Sequence, residues 1–136
     1  MTPVIQQNVS LRAFNTLALP STAEYFCSVS EHSQLLQALE FARTSALVVT
    51  IIGGGSNIVL AGDIPGLVIQ IDLRGVSHRY VTAAGNAAGD LANAVDVTFA
   101  AGENWHQQVL FCLDQGWYGL ENLSLIPGTM GAAPIQ

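Results

Sequence analysis

A chain of 136 residues, half of them apolar, is long enough for one domain with a modest core. Four arginines, no lysine and a formal net charge of −6 leave nothing from which to build a basic patch, which excludes charge-driven binding of nucleic acid or an anionic membrane. Any anionic ligand must then be held mainly by main-chain N–H groups. The charged fraction of 10% is well under the roughly 25% usual for soluble domains, so surface is expected to be lost to a neighbouring domain, a partner or a bound ligand.

The start of the chain carries no basic region followed by an apolar stretch. The longest apolar run, around 46–52, is far short of the ~20 residues that span a bilayer. A soluble, cytoplasmic protein without a membrane partner is expected. Cys27 and Cys112 lie far apart in apolar surroundings and read as free core thiols.

In chain order, residues 23–29 mix Tyr25, Phe26 and Val29 and predict a short strand. Ser30 offers a hydroxyl to cap a helix over 31–44, with Leu35, Leu36, Leu39 and Ala42 on one apolar face and Arg43 at the end that suits a cation. Residues 47–52 form a β-branched run without alternation, the pattern of a strand buried on both faces in a parallel sheet. Further strands are predicted at 58–60 and 67–73, separated by a turn over Gly62-Asp63-Ile64-Pro65-Gly66.

Residues 83–94, nearly all Ala, Gly, Asn and Asp, predict a loop or hairpin tip. Val95 to Phe99 alternates weakly as a strand. Asn104 then caps a helix whose Trp105, Val109, Cys112 and Leu113 share a face until Gly116 ends it. The last twenty residues read as coil with one helical turn, rich in Gly, Pro and Ala.

The strongest chemical feature is Gly53-Gly54-Gly55-Ser56-Asn57, directly after a buried strand. Glycine reaches positive φ without a Cβ clash, so successive N–H groups can turn inward as an anion nest that would seat a diphosphate. Ser56 and Asn57 add side-chain hydrogen bonds. On this reading a β-branched residue at Gly54 should damage ligand binding more than folding. The P-loop is excluded because it needs a lysine, and a Rossmann fingerprint because Ile58, Val59 and Leu60 favour strand where a helix should open. A glycine-rich turn joining two strands fits the cluster equally well.

The run from Leu125 to Gln136 is small and flexible enough for a flat ligand to approach its backbone, as is any loop of that composition. In Ala101 to His106, Trp105 reads as a core or interface residue and Glu103 as a carboxylate near a helix N-terminus. His106 has no second ligand at a metal spacing, so no metal is assigned. Asp63, Asp72, Asp90 and Asp96 form no acid–base pair, and no serine sits in a Gly-x-Ser-x-Gly elbow. No catalytic residue is assigned.

Four stretches in order carry a resemblance: Leu11 with Phe14-Asn15-Thr16-Leu17, the 52–57 cluster, 101–106, and 119–136 beginning Gly119-Leu120-Glu121-Asn122-Leu123-Ser124. From about Val9 to Gln136 the sequence resembles the UDP-N-acetylenolpyruvoylglucosamine reductases, which belong to the vanillyl-alcohol-oxidase-like flavoproteins.

The resemblance implies an α+β fold, a PCMH-type FAD-binding domain. Its first subdomain (1–75) would be a complete βαβ-type unit with a small sheet, and its second (76–136) would be incomplete, with the substrate domain absent. It implies FAD as cofactor, with NADPH as hydride donor and a UDP-sugar substrate only in the full-length family. The implied cofactor-binding set is Gly53, Gly54, Gly55, Ser56 and Asn57 around the pyrophosphate, Ile126, Pro127, Gly128, Ala132, Ala133 and Ile135 along the flavin and ribityl chain, and Ile58 and Leu60 besides. The family's catalytic arginine, serine and glutamate would lie past Gln136, so this stretch alone is expected to be inactive. A non-catalytic FAD or nucleotide-binding module, or another PCMH-type oxidase, is the alternative.

Overall fold

The computed structural model describes residues 2–81 and 94–135. Among these residues, strands β1 (Gln6–Ser10), β2 (Thr22–Val29), β3 (Val49–Ile52) and β4 (Ile64–Ile71) form a sheet in the order β1-β2-β4-β3, with helix α1 (His32–Thr44) joining β2 to β3. β4 runs parallel to both β2 and β3, and β1 is antiparallel to β2. A second, two-stranded antiparallel sheet pairs β5 (Val76–Tyr80) with β6 (Val95–Phe99), and helix α2 (Trp105–Asp114) follows. Short 3₁₀ turns occupy Arg12–Phe14, Glu121–Leu123 and Met130–Ile135. The fold is α+β, as expected.

The period-two pattern of β2 and β4 divides the core into two layers. Cys27, Val29, Leu67 and Ile69 meet Ala38 and Ala42 of α1 on one face. Phe26 and Val68 point to the other face and meet Leu11, Ala23 and Ile52, with Phe14 stacked 4.5 Å from Phe26. β4, flanked on both edges and covered on both faces, holds Leu67, Val68 and Ile69 fully buried.

Several local expectations change. Burial on both faces belongs to β4, not to the predicted 47–52 strand. β3 is an edge strand, and its Ile51 is 53% exposed. Residues 58–60 form no strand, although Ile58 and Leu60 still pack against the second core layer.

The predicted turn at 62–66 overlaps the start of β4, where the pairing shifts register between Ala23 and Tyr25. That bulge accommodates Pro65 and Gly66, and the Glu24 carboxylate accepts the Gly66 N–H at 2.7 Å.

Glu31, not Ser30, caps α1, closing a capping box with Gln34, whose Oε1 accepts the Ser30 and Glu31 N–H groups. The buried stripe of α1 is Ala38 and Ala42 with Leu35 and Phe41, while Leu36 is 62% exposed. Alanine at the contact lets the helix lie close to the sheet. β5 was not foreseen: all five of its residues are exposed, so it carries no apolar periodicity. The predicted 83–94 loop lies outside the described residues up to Ala94, whose carbonyl accepts the Val81 N–H.

Both cysteines are free and about 1% exposed, and burial pushes each thiol's pKa up. The native protein is therefore expected to resist a disulfide-exchange reagent that titrates both thiols after denaturation; fast native labelling would contradict the packing. Leu67→Ala is expected to cost about 2–5 kcal/mol in chemical denaturation, and a cost under about 1 kcal/mol would show that β4 is not the centre of the core.

Candidate functional site: a glycine loop facing a second wall

Parallel strands leave a crevice beyond their carboxyl ends, and ligands of open α/β sheets sit there. β3 ends at Ile52 and runs straight into Gly53-Gly54-Gly55-Ser56-Asn57, while neighbouring β4 ends at Ile71. Ile51 to Ile58 and Ile71 form one side of a cavity of about 480 Å³, and Ala101, Thr129, Gly131 and Ala132 form the other. That volume falls in the usual range for small-molecule sites, about 300–1,000 Å³.

One carbonyl of the loop takes two hydrogen bonds from the segment before β2. Gly55 C=O accepts the Thr16 N–H at 3.1 Å and the Thr16 hydroxyl at 3.3 Å. Among the described residues, the main-chain N–H groups of Gly53, Gly54 and Asn57 have no protein acceptor. None of the four arginines lines the cavity: Arg43 pairs with Glu40, Arg79 with Asp96, and Arg74 with Asp72. Peptide hydrogens, with the Ser56 hydroxyl and Asn57 amide, are thus the donors the loop offers in place of a cation, and the residues fit a diphosphate of a dinucleotide such as FAD.

The three glycines are constrained differently. Gly55 alone takes the left-handed conformation (φ +69°), and a Cβ there would lie 2.0 Å from the Phe14 carbonyl oxygen. A Cβ on Gly53 would meet the Thr129 hydroxyl at 2.7 Å, whereas one on Gly54 would rest 3.5 Å from the Thr129 methyl, an ordinary contact. The positive φ expected at Gly54 is therefore found at Gly55.

The facing wall is fastened to the N-terminal turn of α2. Asn104 caps that helix as expected, accepting the Gln107 N–H at 3.0 Å, and forms a bridge with Thr129. Trp105 N–H reaches the Gly128 carbonyl, Met130 N–H the Glu103 carbonyl, and Gly131 N–H the Ala101 carbonyl. Gly102 is buried against the backbone of Asp72 and Leu73, so a Cβ there would clash at 2.6 Å. Glu103 accepts the Gly75 N–H and the Gln108 amide, tying the link between the two sheets to α2.

Sequence reasoning missed two anchoring roles. The Trp105 indole donates to the Leu123 carbonyl at 2.6 Å, and His106 Nδ1 lies 3.0 Å from the Ser124 hydroxyl and accepts the Leu125 N–H at 3.3 Å. The Glu121 carboxylate accepts its own N–H and that of Gly119, which holds its pKa below the usual carboxylate range. Among the described residues no cluster of His, Cys, Asp or Glu could hold a metal ion.

Of the residues expected at the cofactor, Gly53 to Ile58 and Ala132 line the cavity. Leu60 packs into the core, and Ile126, Pro127, Gly128 and Ala133 lie in the adjoining run outside the lining. Ile135 lies in the last 3₁₀ turn. Ile71, Ala101, Thr129 and Gly131 were not foreseen. Only the smallness of residues 128–133 hinted at the last two.

Gly55→Ala is expected to destabilise the fold by about 1–3 kcal/mol or more, because it combines a disfavoured φ with a backbone clash, while Gly54→Ala stays within about 1 kcal/mol. Equal melting midpoints for the two variants would contradict this division of labour.

A family model described as an FAD binding domain matches residues 23–136. The chain is 49% identical over 98% of its length to UDP-N-acetylenolpyruvoylglucosamine reductase of Bordetella pertussis, covering 35% of that protein. It is 44% identical over its whole length to that of Pseudomonas putida, covering 38%, and 40% identical over 97% of its length to that of Amoebophilus asiaticus, covering 36%. The chain thus spans little more than a third of the length of these curated relatives. In fold it is similar to the crystal structure of UDP-N-acetylenolpyruvylglucosamine reductase from Thermus caldophilus, with a TM-score of 0.66 at 22% identity over 96% of this chain and 41% of that one. With the family match running from β2 to the last residue, the chain belongs to the family of FAD binding domains.

Proposed function

We propose that this chain is the FAD-holding part of an oxidoreductase that reduces the enolpyruvyl double bond of UDP-N-acetylglucosamine enolpyruvate, with NADPH as electron donor, in cytoplasmic peptidoglycan synthesis. The observation that carries the cofactor assignment is the loop at 53–57, whose Gly53, Gly54 and Asn57 N–H groups have no protein acceptor among the described residues, beside a cavity that no arginine lines. The substrate assignment draws support from the relatives' names and their 40–49% identity.

Bound FAD supplies two-electron redox chemistry. The chain's own residues hold and orient it. Gly53, Gly54, Gly55, Ser56 and Asn57 would receive the diphosphate, with Ile58 beside them in the cavity lining. The run containing Ile126, Pro127, Gly128, Ala132, Ala133 and Ile135 would lie along the ribityl and flavin portion, the run itself being held by the bonds from Trp105 and His106. The boundary between two subdomains falls near residue 75, between the two sheets. No helix among the described residues is long and apolar enough to cross a membrane. The acid–base groups for the enolpyruvyl carbon belong to the longer chain of the relatives' length.

Titration of the 136-residue chain with FAD, followed by quenching of flavin fluorescence, is expected to saturate with a Kd weaker than about 1 µM, because one side of the ligand stays in water. NADPH oxidation dependent on the enolpyruvyl sugar nucleotide is expected only from a chain of the relatives' length. Absence of saturable quenching would overturn the cofactor assignment; flavin bound by the longer chain without that reductase activity would favour a non-catalytic binding module.

A further inference from the structure

The family match begins at residue 23, yet the contacts that fix the glycine loop come from residues before it. The Asn15 side chain, 6% exposed, folds the segment 11–19 into a closed turn. Its amide donates to the carbonyls of Leu11 at 2.8 Å and Leu19 at 3.2 Å, and its oxygen accepts the Leu19 N–H at 2.8 Å. Leu11 and Phe14 anchor the turn in the second core layer. So held, the turn presents two donors, the Thr16 N–H and hydroxyl, to the single Gly55 carbonyl. Its Phe14 carbonyl closes the space where any side chain on residue 55 would go.

A trans peptide is planar, with its C=O and N–H on opposite sides. Pinning the Gly55 carbonyl against Thr16 therefore fixes the Gly55–Ser56 peptide plane, in the middle of the loop between the Gly54 and Asn57 N–H groups, which have no protein acceptor among the described residues. We propose that the Asn15–Thr16 turn is a positioning element for the cofactor: by pinning the 55–56 peptide it holds the loop backbone, and with it the Gly53, Gly54 and Asn57 N–H groups, in the orientation that the diphosphate requires, without touching the ligand itself. This rests on reading 53–57 as the diphosphate loop. Donors fixed before the ligand arrives need no reordering when it binds, and that saving appears as affinity.

The test compares the full 136-residue chain with Thr16→Val, which keeps the shape and removes the hydroxyl, Thr16→Ser, which restores it, and Gly53→Val as a loop control. FAD affinity is read by fluorescence quenching and fold stability by the flavin-free melting midpoint. Thr16→Val is expected to weaken FAD binding by about 2- to 12-fold, the fold-change of one net hydrogen bond. Thr16→Ser should return affinity to within about twofold of the parent, with both midpoints near the parent value.

If Thr16→Val binds FAD as the parent does while Gly53→Val loses it, the positioning role is overturned and the loop assignment stands. Equal loss in Thr16→Val and Thr16→Ser accompanied by lowered midpoints would assign Thr16 to folding alone and overturn the proposal. No saturable FAD binding by the parent would remove the loop assignment and the positioning role together.

Discussion

Among the described residues, this chain sets peptide N–H groups and the side-chain donors of Ser56, Asn57 and Thr129 beside its cavity in place of cationic side chains. It has no lysine, and its four arginines are absent from the lining. An anion held by peptide dipoles needs them aimed and unbonded, so the backbone around residues 53–57 must be fixed by everything except the groups that do the binding. The structure meets this demand by restraining the loop through the Gly55 carbonyl and the close approach of Phe14, and by leaving the Gly53, Gly54 and Asn57 N–H groups without acceptors among the described residues. Burial of β4 on both faces supplies the rigid base, because β3, from which the loop emerges, pairs with it.

The opposite wall solves a related problem with different parts. Residues 121–131 contain little regular structure, so their position depends on hydrogen bonds to neighbouring elements. Those bonds come from the first turns of α2: main-chain contacts through Glu103 and Trp105, and the side chains of Trp105 and His106. A tryptophan and a histidine that resemble candidates for stacking or metal binding instead serve as anchors for a ligand-facing segment. Thr129 then brings the two walls together, its hydroxyl near enough to Gly53 that a Cβ there has no room.

Much of this was legible in the sequence wherever side-chain burial follows a period. β2, both helices and the cap at Asn104 could be read because apolar residues recur at strand or helix spacing. Ile58 and Leu60 show where that logic stops: their alternation with exposed Val59 marks burial correctly, but no strand pairs with them, so the pattern yields coil. The Pro65-Gly66 signal was real chemistry assigned to the wrong feature, since a bulge and a turn demand the same residues. β5 was hidden because its side chains are all exposed and its order comes from pairing with distant β6. At the site, the glycine cluster stood out locally, while Thr129, Ala101 and Ile71 join it only through the tertiary fold. Which glycine needed a left-handed backbone could not be read either, because the Phe14 carbonyl that excludes a side chain at Gly55 lies far away in the chain.

The most direct measurement is a ¹⁵N–¹H amide titration of the chain with FAD. The resonances of Gly53, Gly54 and Asn57 are expected to move first and furthest, with smaller shifts at Thr129, Gly131 and Ala132 across the cavity. Shifts confined to other parts of the chain, with the 53–57 amides unmoved at saturation, would contradict the diphosphate assignment.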